Sequence, residues 1–235
     1  MRDALAAVAA AEARLDATVA ELTDEQAAAP SLLPGWTRAV LVTHIARNAD
    51  SNARMVGAAL RGESRAQYPG GRPQRAADIQ AGRGRSAADV VADLRAAAEE
   101  WRSTMAAVSA DQWELQVDAM VGRRTIRDRV EGRLVEVEVH HHDLGLGYSW
   151  RDWPATLAPA HLAGAVARLP TGWRVTTGEP ATLTGALDDG PETVVQGAAT
   201  ALFAWLTGRA DLVDAELDVQ GDDRVRELPL RHPWG

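Results

Sequence analysis

The chain has no cysteine at all. That excludes disulfides, thiolate ligands to a metal and a protein thiol as nucleophile, so any thiol chemistry has to use an external thiol. It also lacks a run of about 20 consecutive apolar residues, the length a membrane helix needs, and its N-terminus has no basic region leading into a continuous apolar one. These absences predict a cytoplasmic protein with no membrane partner. An excess of positive charge is missing too: 25 basic residues stand against 33 acidic ones, for a formal net charge of -8, and the two signs are interspersed. No sustained cationic surface for a phosphate backbone results, so nucleic acid is not an expected partner. Extended disorder is not expected either, because 46% hydrophobic and 25% charged residues is the composition of an ordinary globular protein. At 235 residues the chain is long enough for one large domain or two small ones.

Apolar periodicity predicts four long helices in the first 150 residues. Leu5, Val8, Ala11, Leu15, Val19 and Leu22 recur every three or four positions and give a first helix over 2–22. Thr23-Asp24 interrupts it, and Pro30 and Pro34 keep the connector from continuing as helix. Thr37 is an N-cap for a second helix that runs to about Leu60, with Gly62 as its stop. Residues 62–85, rich in Gly, Pro, Arg and Gln, read as a long loop whose arginines are solvated. A loop of that length is more often functional than idle, which suits a cover over a pocket, and a small anionic ligand stays open. Ser86 with Asp89 resembles a capping box for a third helix through Val108. Trp113, Leu115 and Val117 alternate before Gly122, as in a short extended stretch within a small hairpin or loop, and Thr125 opens a fourth helix that Gly145 and Gly147 end. Beyond Trp150 the pattern changes to short pieces that look like strands, Trp173 to Thr177, Ala181 to Gly185 and Ala215 to Val219, with a helix from Val194 to Thr207 among them. The expected fold is therefore α+β: a four-helix bundle over 1–150 and a smaller α+β domain over 151–235.

The fourth helix carries Glu136-Val-Glu-Val-His140-His141-His142-Asp143. Residues at i and i+4 share one helical face, so Glu136 with His140 can grip one ion, and Glu138 with His142 can do the same from a face roughly 200° away. Periodicity does not choose between the two pairs, since each lies one position off the apolar stripe. His44 falls among Val40, Leu41 and Ile45 near the inward face of the second helix, where an unpartnered imidazole is costly to bury. Two histidines and one glutamate would leave a fourth position open, which is the pattern of catalytic rather than structural zinc. Nickel, cobalt or manganese are compatible with the same donors.

Gly35-Trp36-Thr37-Arg38 followed by His44-Ile-Ala-Arg-Asn48-Ala, together with Glu136-x-x-x-His140-x-x-Asp143-Leu-Gly, resembles the mycothiol-dependent maleylpyruvate isomerases of the DinB-like metalloenzyme superfamily. The resemblance implies an N-terminal DinB-like bundle with Zn2+ held by His44, Glu136 and His140, and so selects the Glu136 face. Ala201-Leu-Phe-Ala-Trp-Leu-Thr-Gly-Arg209 is similar to the end of the sterol-carrier-like domain of such proteins, where an arginine at the place of Arg209 is functionally required.

The chemistry implied is cis-trans isomerisation of a maleylpyruvate-type unsaturated diacid with mycothiol as cofactor. The thiolate adds to the double bond, the single bond rotates, and elimination gives the trans isomer. Arg209, which would also bind the cofactor, and Arg38 would hold carboxylates by charge-assisted hydrogen bonds, and Asp143 would orient a ligand or water. Arg38 also reads as a first-turn surface residue. The expected partners are a small-molecule substrate and a low-molecular-weight thiol, in a monomer or small homo-oligomer. Two other functions fit the same scaffold: a mycothiol S-transferase acting on electrophiles, and a small-molecule binding protein without catalysis.

Overall fold

The computed structural model describes residues 1–120, 122–167, 169, 173–177, 182–184 and 193–221. The chain divides into two compact units, Met1–Leu146 and Gly147–Gly235. The sequence reading sets the change of character a few residues later, near residue 151. The fold is α+β, a helical N-terminal region followed by a small sheet domain.

In the first unit the four long helices are α1 (Arg2–Val19), α3 (Arg38–Leu60), α5 (Ala87–Ala106) and α6 (Ile126–Asp143). Their starts are chemically marked. The Thr37, Ser86 and Thr125 hydroxyls accept from the backbone N–H of Val40, Asp89 and Asp128, and Asp128 closes the capping box at Thr125. Each bond satisfies a donor that the first helical turn leaves free. Gly145 ends α6 in the left-handed region at φ 64, a conformation that disfavours a side chain.

α3 lies at the centre of the bundle, packed against α5, α6 and the short α4 (Gly71–Gln80). Ala39, Ala46, Ala49, Ala53 and Ala58 let its neighbours approach closely, while Leu41, Ile45 and Met55 join Leu15 of α1, Leu94 and Trp101 of α5, and Val130 and Val137 of α6 in one apolar core. A polar link crosses the same core. The wholly buried Arg133 guanidinium of α6 donates to Glu12 Oε1 of α1 at 2.9 and 3.1 Å, to Ile45 O at 2.9 Å and to Asn48 Oδ1 at 3.2 Å.

Two helices of the first unit depart from the sequence reading. α2 (Asp24–Ala28) fills the predicted interruption, capped at Thr23, but its five residues are too few for a periodic stripe. α4 (Gly71–Gln80) lies inside the predicted loop; Ile79 is its buried residue, so it presents no apolar face to recognise. The turn after α4 rests directly on α3. A Cβ on Gly82 would stand 2.7 Å from Thr43 Cβ and 2.9 Å from Ala39 O. Because the second neighbour is backbone, Gly82→Ala is expected to lower stability by about 1–3 kcal/mol in urea unfolding; an unchanged midpoint would show that the turn can lift away freely. The hairpin of β1 (Gln116–Ala119) and β2 (Gly122–Thr125) delivers the chain to α6, with Val117 paired to Arg124.

The second unit opens with a 3-10 turn, Trp150–Asp152, capped by Ser149, followed by α7 (Leu157–Val166), which packs on α8 (Ala199–Leu206). Its sheet has the order β4-β3-β5-β6, built from β3 (Trp173–Thr176), β4 (Thr182–Thr184), β5 (Thr193–Gln196) and β6 (Asp218–Gln220). β3 and β5 are parallel and the outer pairings antiparallel. Val194, expected to open a helix, lies instead in β5, and the helix starts five residues later; a β-branched run from Thr193 to Val195 suits a strand better than a first helical turn. The last strand begins at Asp218 rather than Ala215. Ala181 and Gly185, the ends of another expected strand, lie outside the described residues.

Candidate metal centre

Three side chains from two helices converge beside the core. His44 Nε2 lies 3.1 Å from His140 Nε2 and 3.2 Å from Glu136 Oε2, and His140 Nε2 lies 3.4 Å from the same oxygen. Among the described residues these three are the only group of histidine and carboxylate donors close enough to share one ion. Around a tetrahedral zinc with bonds of about 2.0–2.1 Å, adjacent donors stand about 3.3 Å apart. The triangle therefore has the size that such a site requires. Glu136 Oε2 is buried and has no hydrogen-bond partner among the described residues, so a cation would satisfy an otherwise orphaned acceptor.

Electrostatics points the same way. Burial pushes the His44 imidazole down to about 4, which leaves a neutral ring with a free lone pair. Burial acts against ionisation of Glu136, but its contacts with His140 and His44 outweigh that and hold the carboxyl well below its ordinary range. Burial likewise opposes a charge on His140, yet Asp143 and Glu136 together raise it. Positive charge is thus favoured between the three donors. The site opens on the glutamate side: the Glu136 side chain is 24% exposed, against 2% for His44 and 1% for His140.

The rings are held from behind. His140 Nδ1 is 2.8 Å from Asp143 Oδ2, so Asp143 fixes the tautomer that turns the Nε2 lone pair toward the centre. Trp36 meets the His44 ring edge-on at 5.5 Å. Arg75 of α4 places Nη2 3.4 Å from His44 Nδ1. The sequence reading missed this residue because its stretch looked like solvated loop.

The rival pair of α6 does not join this centre. Glu138 is fully buried and paired with Arg14 of α1. Arg38 donates from Nε to Leu144 O at 2.7 Å and from Nη1 to Gln26 O at 3.2 Å, tying the end of α6 to α2. Arg209 belongs to the second unit, just after Gly208 ends α8, and its Nη1 reaches Thr207 O. No helix among the described residues is long and apolar enough to cross a membrane.

Two crystal structures are similar: a mycothiol-dependent maleylpyruvate isomerase, at 21% identity and a TM-score of 0.83 over 89% of each chain, and a histidine-to-alanine mutant of a mycothiol-dependent maleylpyruvate isomerase. The second has 20% identity and a TM-score of 0.84 over 94% of this chain and 92% of that one. At such identities the likeness establishes the fold. Among curated proteins none matches significantly. Residues 8–145, more than half the chain, match the family described as the mycothiol maleylpyruvate isomerase N-terminal domain, and the chain belongs to that family.

Proposed function

We propose that this protein is a cytoplasmic, zinc- and mycothiol-dependent enzyme that interconverts the cis and trans forms of a maleylpyruvate-type unsaturated diacid. The observation that carries the proposal is the donor triangle of His44, Glu136 and His140, its size matched to a divalent cation and its glutamate side open. When bound, the metal lowers the pKa of a thiol toward neutrality, and the thiol supplies the nucleophile that adds reversibly to the double bond. The absence of cysteine fits an external thiol in that role.

The chain's own residues hold and orient. His44, Glu136 and His140 would be the ligands, with Asp143 keeping the His140 proton on Nδ1. Arg209 is proposed to hold a carboxylate of cofactor or substrate, as the resemblance implies. For Arg38 we propose first the positional role its two carbonyl bonds describe, fixing the end of the helix that carries Glu136 and His140.

The decisive measurement follows mycothiol during turnover of maleylpyruvate. Isomerisation requires the thiol and leaves its concentration unchanged. One thiol consumed per product would identify an S-transferase instead, and thiol-independent turnover would remove the proposal. Asp143→Asn is expected to weaken metal affinity about 10–100-fold, since the amide no longer stabilises the ligand tautomer as a carboxylate does. Competition with a chromogenic chelator reads this directly.

A further inference from the structure

Two guanidinium groups lie near the donor triangle, Arg75 against His44 and Arg129 within the electrostatic reach of Glu136. Arg75, on α4, lies near His44 Nδ1, and its guanidinium carbon stands 6.0 Å from the ring centroid of the buried Tyr68. Arg129 precedes Glu136 by seven residues, two turns of α6, and so shares its face. Its Nη2 lies 3.9 Å from the point where a Cβ on Gly132 would stand. The missing side chain at 132 leaves room for the guanidinium to lie along the helix in the direction of Glu136. Arg129 Nε is buried and has no hydrogen-bond partner among the described residues.

Other arginines of this bundle have acidic partners: the buried Arg133 has Glu12, and the exposed Arg14 has the buried Glu138. Among the described residues, neither Arg75 nor Arg129 makes an ion pair. Both guanidinium groups are only half-buried, and Arg129 feels the Asp128 and Glu136 carboxylates without pairing directly with either, so each fork has donors left for a further anion. All 25 basic residues of the chain are arginine, so every fixed positive side chain is a planar fork suited to carboxylates.

The Arg75 contact carries a chemical consequence. An arginine only donates, so at 3.4 Å it meets His44 Nδ1 as an acceptor. A His44 whose Nε2 lone pair serves a cation carries its proton on Nδ1. Two donors would then face each other, and the Arg75 fork would turn toward another acceptor.

We propose that Arg75 and Arg129 form a subsite for the two carboxylates of a small cis-dicarboxylate beside the metal centre. The inference rests on the function proposed above and deepens it, by naming the residues that select a dianion over a monoanion.

Maleate, which has both carboxylates in the cis arrangement, is the probe. Calorimetric titration of maleate into the zinc-loaded protein is expected to show binding that weakens at least tenfold in Arg75→Gln and in Arg129→Gln, and disappears when both are changed. Lysine at either position is expected to recover part of the affinity, which a purely structural role for the guanidinium would not predict. Acetate should bind far more weakly than maleate to the wild type. Zinc stoichiometry and the thermal unfolding midpoint are expected to stay at wild-type values, and the KM for the diacid to rise more than kcat falls. A doubly changed protein that binds maleate within twofold of wild type overturns the subsite, as does a wild type that does not bind it. The functional reading is judged separately: loss of thiol dependence in the wild type sinks that reading, while the maleate titration, repeated without zinc if the protein takes none, still decides the subsite.

Discussion

His44→Ala is expected to abolish metal binding at the donor triangle and, on the function proposed above, to reduce kcat/KM on the order of a thousandfold or more. The reasoning starts from geometry. Three donors are available, two of them on adjacent turns of α6, and His44 is the single contribution of α3. Its removal leaves a carboxylate and one imidazole, too few to hold a divalent ion against competing water. Loss of a group that merely orients a ligand weakens metal binding about 10–100-fold, and loss of the ligand itself should exceed that. Elemental analysis of purified wild type and variant, with turnover measured in the presence and absence of mycothiol, gives the answer. A variant that retains one metal per chain and full turnover would show that the triangle is not the working centre. Because His44 is buried, circular dichroism should accompany the assay, to separate loss of metal from loss of fold.

The second large effect concerns stability. Arg133→Met leaves the Glu12 carboxylate, 6% exposed, inside the bundle without its guanidinium. Breaking a buried pair from one side typically lowers stability by about 3–5 kcal/mol, because the remaining charge has lost both water and partner. Arg102 lies 3.9 Å from Glu12 Oε2 and is partly exposed, so it can approach and soften the loss. The lower end of that range is therefore expected, read as a shift in urea unfolding. Changing Glu12→Leu together with Arg133→Met should recover most of the stability, since no buried charge then remains. A single variant within about 1 kcal/mol of wild type would mean that Glu12 accepts a proton or a new partner at little penalty.

The parts of this fold that were legible from sequence are those where a local rule and the tertiary structure agree. Thr37, Ser86 and Thr125 announce helix starts because a hydroxyl just before an apolar repeat has a first-turn N–H to satisfy. Elements without such a conflict-free pattern were missed. α4 has little to bury, and α7, which follows the Trp153-Pro154 break, is apolar on most sides and shows no stripe. The candidate centre was legible to the level of two alternatives. Spacing alone left Glu136 with His140 and Glu138 with His142 equal, because α6 is packed on both flanks: one glutamate meets His44, and the other meets Arg14 of α1. Only the approach of a second helix distinguishes them, and that information is not local. Arg75 was invisible because its stretch reads as solvated loop, whereas the seven-residue step from Arg129 to Glu136 is a signal that could have been followed.

The link from Arg133 to Ile45 O sets axial alignment as well as charge balance. Buried alanines of α3 and buried valines of α6 help to form the bundle core, and smooth surfaces of that kind tolerate sliding of one rod past another. Ile45 is the neighbour of His44, and Arg133 stands three residues before Glu136, so the guanidinium clasps both rods within a turn of the donors. A slip of one turn, about 5.4 Å, would carry Glu136 and His140 out of reach of His44 while leaving oily packing nearly intact. The clasp forbids that slip, and it thereby acts as a gauge pin for the donor triangle one turn away.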